Sequence, residues 1–215
     1  KLYDLTSLQR EANRLHSLSA SRTLQIAQSL YEKHKAITYP RTDSKALPED
    51  YGETCREIIP LLPHEYKVHS DRIISENWVD VKNKKIFDNK KISDHFAIIP
   101  TNNIPKSLDE YERRVYNLIV KRFLAVFYPP AQWDITTRLS KLGNHTFKTE
   151  GKVLVEPSWL SIYGKDQVSA ENLVPLVEQD ENTAKRIDSS IESDETKPPP
   201  RYTEATLLSA MEGAG

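Results

Sequence analysis

Cysteine is almost missing from this sequence: Cys55 is the only one in 215 residues. That excludes an internal disulfide framework and leaves no cysteine pair at zinc-ribbon spacing. A reducing cytoplasm is the expected compartment. No apolar run approaches the roughly 20 residues that span a bilayer, and no signal-peptide pattern is visible, so no membrane partner is expected. Strong charge of one sign is lacking too, with a formal net charge of -1 and a pI of about 6.7. Internal repeats are not seen.

The neutral total hides an uneven distribution. Lys1 to Lys45 carry eight basic and four acidic residues, whereas Glu178 to Lys197 carry three basic and seven acidic. A positive cleft offset by an acidic segment gives this pattern, and so do ordinary solvated faces. Charged residues make up 28% and hydrophobic residues 38% of the chain, enough for a core under a well-solvated surface. Lys1 in place of an initiator methionine, and a helical pattern that stops at Met211-Glu212-Gly213-Ala214-Gly215, are expected of a piece of a longer protein.

The elements follow from caps and breakers. Thr6 with Gln9 forms a capping box that predicts a helix to about His16. Ser17–Ser19 then turns, and Ser19 caps a second helix in which Leu24, Ala27, Leu30 and Tyr31 recur at helical spacing. The pair is helix-turn-helix-like, although most such pairs merely pack. Ile37-Thr38-Tyr39 reads as a short extended segment, since Pro40 disfavours helix at Tyr39. Asp43 or Ser44 caps a turn toward a helix over 48–62. Residues 63–101 read as irregular, with a lysine patch (Lys82, Lys84, Lys85, Lys90, Lys91) better explained by solvation than by phosphate. Ser107 with Glu110 opens a helix to about Phe127, and Pro129-Pro130 stops it. Trp133–Leu142 and His145–Val155 read as strands joined by a Gly143-Asn144 hairpin turn, with a third strand near Ala184–Ile191. Pro198-Pro199-Pro200 is a stiff connector, and Thr203 caps a last helix into Met211. The fold class expected is α+β and multidomain: helical over 1–128, β-rich over 129–197, and the start of another helical part over 198–215.

Chemistry centres on Tyr39. A phenol titrates near pH ~10, so it attacks poorly at neutral pH unless a cation or base stabilises the phenolate. Arg41, two residues on in an extended segment, projects to the same side and can hold two phosphate oxygens with a fork that never deprotonates. From these two residues alone, an amphipathic core tyrosine beside a surface arginine is the simpler account.

Longer stretches change that account. Leu2 to Asn13 (LYDLTSLQREAN), Ser19 to Gln28 (SASRTLQIAQ) and Ile37 to Ser44 (ITYPRTDS) resemble, in order, the catalytic-tyrosine domain of type IA DNA topoisomerases, especially the topoisomerase III branch. Ser93 to Thr101 (SDHFAIIPT) is similar to that family's histidine segment. Lys197 to Leu207 (KPPPRYTEATL) is similar to its passage from the arch back into the base. The stretch 134–191 is far less distinctive.

The resemblance implies a helical catalytic-tyrosine domain with a β-rich arch, and an ATP-independent isomerase acting on single-stranded DNA. Tyr39 is implied as the nucleophile that forms a 5′-phosphotyrosine and releases a 3′-hydroxyl, which later reseals the strand after passage of another. Arg41 is implied to stabilise the scissile phosphate, His95 to donate to it, and Arg201 to contact the DNA backbone. A satisfied turn histidine and a solvated arginine stay open for the last two. Thr42 and Asp43 are expected to shape the loop rather than react. The Mg²⁺-binding TOPRIM domain, with the glutamate and lysine that assist proton transfer, and the rest of the base domain are expected outside this span. No metal or cofactor is therefore assigned within it, and the span alone is expected not to cleave. The alternative is a non-enzymatic helix-turn-helix DNA-binding module, and a scaffold without a nucleic-acid role is a third reading.

Overall fold

The computed structural model describes residues 1–164, 190 and 192–214. The strand expected over Ala184–Ile191 lies outside these apart from Ser190, which has no regular structure.

Helix α1 spans Leu5–His16. Its cap is Asp4, not Thr6: the Asp4 carboxylate accepts from Ser7 N–H at 2.8 Å, and Ser7 Oγ accepts from Asp4 N–H at 3.2 Å. A carboxylate beside four unpaired amides at a positive helix end is favoured over a hydroxyl inside the first turn. Ser17 ends α1 in the left-handed region at φ 54°, and its N–H returns to Ala12 and Asn13 carbonyls. Helix α2, Ala20–Glu32, begins at the expected cap, with Ser19 Oγ accepting from Arg22 N–H at 3.2 Å. It buries Thr23, Ile26, Ala27 and Leu30, whereas Leu24 and Tyr31 are only partly buried. The apolar stripe is thus rotated from the one read in the sequence.

Helix α3 covers Gly52–Ile58 and tightens into a 3-10 turn at Ile59–Leu61, so the helix expected over 48–62 starts four residues late. Gly52 sits where an added Cβ would meet Val81 Cγ1 at 2.2 Å. Ser44 caps a turn as expected, its Oγ accepting from Ala46 N–H at 3.2 Å, but the helix begins only at Gly52. Helix α4, Lys67–Ser75, lies inside the stretch expected to be irregular. Only Ser70 and Ile73 of it are buried, which is too little apolar periodicity to announce a helix. Helix α5, Glu110–Ala125, is capped by Asp109 paired with Glu112, two residues past the predicted box. Its inner face buries Val115, Tyr116, Ile119, Val120, Phe123 and Leu124. At about 1.5–3 kcal/mol for each large apolar side chain buried, this face is a main source of stability.

Strands β1 (Gln132–Leu142) and β2 (His145–Glu156) pair antiparallel from Leu142↔His145 to Gln132↔Glu156. Gly143, at φ 58°, takes the first turn position that a two-residue hairpin requires. Lys152 Nζ lies 4.2 Å from the Trp133 ring centroid, a cation–π contact across the ladder. Helix α6, Glu204–Glu212, is capped by Thr203 as expected.

The architecture mixes α and β and gathers into two compact units. One holds Lys1–Pro130 with residues 158–164 and 202–214; the other holds Ala131–Pro157 with residues 192–201. In the first, α6 lies on α1, where Glu212 pairs with Arg10 at 3.1 Å and Lys45 at 3.1 Å. Lys45 also reaches Asp4 at 3.2 Å. Desolvation opposes charge on Lys45, yet Glu212 and Asp4 outweigh it and raise its pKa. Within this unit the Arg122 guanidinium stacks 4.4 Å from the Tyr3 ring centroid and donates to its hydroxyl at 3.3 Å. Among the described residues, no helix is long and apolar enough to cross a membrane.

Candidate active site

The segment after α2 forms no sheet and is held by single bridges and side-chain hydroxyls. Lys35, at φ 53°, turns the chain out of the helix end. Ile37 bridges Pro100, and Tyr3 bridges Ile98. Thr38 N–H donates to the Ile99 carbonyl at 3.0 Å; its Oγ1 donates to Ala97 at 2.9 Å and accepts from Ile99 N–H at 3.0 Å. Thr101 closes the same end, with Oγ1 donating to the Lys35 carbonyl at 2.6 Å. On the far side of Tyr39, Thr42 Oγ1 donates to the His95 carbonyl at 2.8 Å and accepts from Ser44 N–H at 3.1 Å. Ser44 Oγ donates to the Lys91 carbonyl at 2.8 Å, and Asp43 accepts from Ser93 Oγ at 3.1 Å. The hydroxyls of Thr38, Thr42, Ser44 and Thr101 thus satisfy backbone groups that a ladder would otherwise pair.

This scaffold brings two predicted residues together. The half-buried Tyr39 ring stands 4.4 Å from the exposed His95 ring, centroid to centroid, with a 50° tilt. Its other neighbour is Tyr31 of α2, at 5.4 Å and 76°. The phenol is thus packed on two sides and its orientation restricted, as aromatic contacts of this kind do. Arg41 is exposed, but its guanidinium is not adrift. With the Gln28 amide oxygen turned toward it, the orientation that satisfies both groups, Arg41 donates from Nε at 3.2 Å and Nη2 at 2.9 Å. Arg201 is exposed in the second unit, just ahead of the α6 cap.

The back of the site is α2. Gln28 meets Arg41, Tyr31 meets Tyr39, and Ser29 Oγ donates to Glu112 Oε1 of α5 at 2.7 Å. Glu112 Oε2 accepts from Asp109 N–H at 3.0 Å. His34 Nε2 lies 3.2 Å from the same oxygen but out of line for a hydrogen bond, so that contact is electrostatic. Desolvation pushes the buried Glu112 carboxyl up, but Ser29, the Asp109 amide and His34 together hold it below its ordinary range.

Gln28 and Glu112 were missed from sequence. Both are polar residues on otherwise apolar-facing helices, and only the register of Gln28 three positions before Tyr31 hinted at a shared face. Among the described residues, no three His, Cys, Asp or Glu side chains converge as a metal-binding group.

Comparison with known proteins agrees with this local picture. The DNA topoisomerase family profile matches residues 1–215. A DNA topoisomerase 3 from Bacillus cereus (strain ATCC 14579) is 40% identical over 222 residues, covering 98% of this chain and 30% of the relative. A DNA topoisomerase 3 from Bacillus subtilis (strain 168) is 37% identical over 220 residues, with the same coverage. Among solved structures, full-length topoisomerase I from Thermotoga maritima superposes with a TM-score of 0.65 at 27% identity, over 100% of this chain and 35% of that one. The chain spans about 30% of the length of the curated relatives it matches. With the family profile covering every residue and relatives aligned over 98% of this chain, it belongs to the type IA DNA topoisomerases, on the topoisomerase III side.

Proposed function

We propose that this chain carries the nucleophile of an ATP-independent enzyme that cuts and reseals single-stranded DNA. The observation that supports it most is the setting of Tyr39: its ring lies between Tyr31 and His95, and Arg41, two residues on, is held by Gln28 of the helix that carries Tyr31. In this reading Tyr39 Oη attacks a backbone phosphorus and loses its proton as the new P–O bond forms. The bond to the 3′-oxygen breaks, and that oxygen takes up a proton to become the 3′-hydroxyl. Reversal, after a strand has passed, restores the phosphodiester, and the energy of one ester is kept in the other.

Arg41 stabilises the charge that grows on the phosphoryl oxygens, worth roughly 3 kcal/mol for a preorganised donor. His95 donates a hydrogen bond to the same phosphate, and Arg201 meets the DNA backbone. The division into a helical part over 1–128, a β-rich arch over 129–197 and a base segment over 198–215 belongs to the same reading. So does a cytoplasmic setting. The TOPRIM carboxylates that bind Mg²⁺ are supplied from outside this span, so residues 1–215 alone bind but do not cut.

Trans-complementation tests this. The chain is mixed with a TOPRIM-bearing piece of a relative, Mg²⁺ and end-labelled single-stranded DNA, and the products are denatured. A 3′ label carried on the chain, absent for a 5′ label and lost in Tyr39→Phe, is the expected result. Co-purifying pieces that bind DNA and never form the adduct would return the chain to a helix-turn-helix binding module.

A further inference from the structure

We infer that Gln28 is a positioning residue: it aims the Arg41 guanidinium so that one defined edge is presented to phosphate. The inference rests on the reading of Arg41 given above and adds a residue to which that reading assigns no role. An arginine offers five N–H donors in a planar fork, and bidentate recognition of phosphate uses two parallel donors on one edge. Here Gln28 occupies the Nε–Nη2 edge, at 3.2 and 2.9 Å. The Nη1–Nη2 edge keeps two parallel N–H groups, the geometry that phosphate accepts.

Arg41 needs such a partner. It is exposed on a segment that belongs to no sheet, and its side chain has several freely rotating bonds. Gln28 is the opposite: it sits in the last turns of α2, a helix anchored on α5 through Ser29 and Glu112 and on the Tyr39 ring through Tyr31. One neutral acceptor on a rigid helix thus fixes a mobile cation without neutralising it. A carboxylate at the same place would also orient the guanidinium, but would cancel the charge meant for the phosphate and repel the DNA. Neutral glutamine satisfies both demands. Because Gln28 is only partly buried and Arg41 exposed, the contact adds little to the core, and that separates positioning from folding.

Two measurements decide it. In the 215-residue chain, ¹⁵N NMR of arginine side chains should show one slowly exchanging Nε–H, assigned by its absence in Arg41→Lys. Gln28→Met should abolish that protection with an unchanged melting temperature, and Gln28→Glu should restore it. In the complemented cleavage assay, Gln28→Met should slow adduct formation roughly ten- to hundredfold at saturating DNA, with apparent DNA affinity changed less than threefold. In the Arg41→Lys background the same change should cost nothing further. Persisting Nε–H protection in Gln28→Met, an unaltered adduct rate, or multiplicative losses with Arg41→Lys would each overturn the inference. If Tyr39→Phe abolishes the adduct while Gln28→Met keeps the full rate, only this inference falls. If the wild-type assembly forms no adduct, the reading of Tyr39 falls, and the Nε–H signal alone judges the Gln28 contact.

Discussion

Replacing Glu112 should unlock the helix behind the site, and the structure sets the size of the effect. The residue is 5% exposed and binds in two directions, to Ser29 Oγ at 2.7 Å and to the Asp109 amide at 3.0 Å, with His34 at 3.2 Å. A hydrogen bond to a charged acceptor contributes about 1.5–3 kcal/mol. Two are lost in Glu112→Ala, but the cost of keeping a carboxylate out of water is recovered, so the net loss should be about 2–3 kcal/mol. For a chain of this size that is roughly 5–10 °C in Tm. Glu112→Gln retains the shape and one acceptor and should lose about 1 kcal/mol. Thermal unfolding followed by circular dichroism gives both numbers.

The acid limb of the same measurement supplies a control. The folded carboxyl titrates below its ordinary value of 4.5, so its stabilisation is complete above that pH. It fades as pH falls from 4.5 toward the lower folded value, because the unfolded chain then binds the proton first. Glu112→Gln should flatten that part of the wild-type curve. A Tm shift under ~2 °C for Glu112→Ala, or an unchanged acid limb in Glu112→Gln, would refute the anchoring role.

His95→Ala should slow adduct formation less than Arg41→Ala, which should abolish it; no effect of His95→Ala would return that histidine to a packing role against Tyr39. Cys55 is fully buried, and burial pushes its thiol up to about 12. It should therefore resist a thiol reagent at neutral pH in native buffer and react at once in denaturant, whereas fast native labelling would mean that α3 opens locally. The α6 contact depends on the half-exposed pairs of Glu212 with Arg10 and Lys45. Hydrogen exchange in α6 should quicken between about 0.1 and about 1 M salt and in Lys45→Ala, while α5 stays protected.

Local chemistry was legible and long-range chemistry was not. The Gly143-Asn144 turn and Ser19 and Thr203 as caps all act within a few residues, and each was read where the structure has it, whereas α5 ends at Ala125, two residues short of the end read from Pro129-Pro130. The caps of α1 and α5 slipped by two residues because several polar side chains compete there, and the winner is the carboxylate that reaches the N3 amide. Helix α4 escaped because only Ser70 and Ile73 of it are buried, too few to set a helical period in the sequence. At the site, Tyr39, Arg41 and His95 were named through their motifs. Gln28, Ser29 and Glu112 were not, since their partners lie far along the chain or across a helix face that periodicity assigns to solvent or core alone.

The hydroxyl clamps around Tyr39 also set an order of events during synthesis. They join residues 47 to 66 positions apart, as Ser44 to Lys91, Thr42 to His95, Thr38 to Ala97 and Thr101 to Lys35 do. The backbone hydrogen bonds of helices α1 and α2 are local and can form as the chain emerges, whereas closure over such distances is slow and late. A nascent chain thus displays its tyrosine on a loose tether, without a place to work, until the stretch around Thr101 has been made. Synthesis itself delays the moment at which Tyr39 is fixed between Tyr31 and His95.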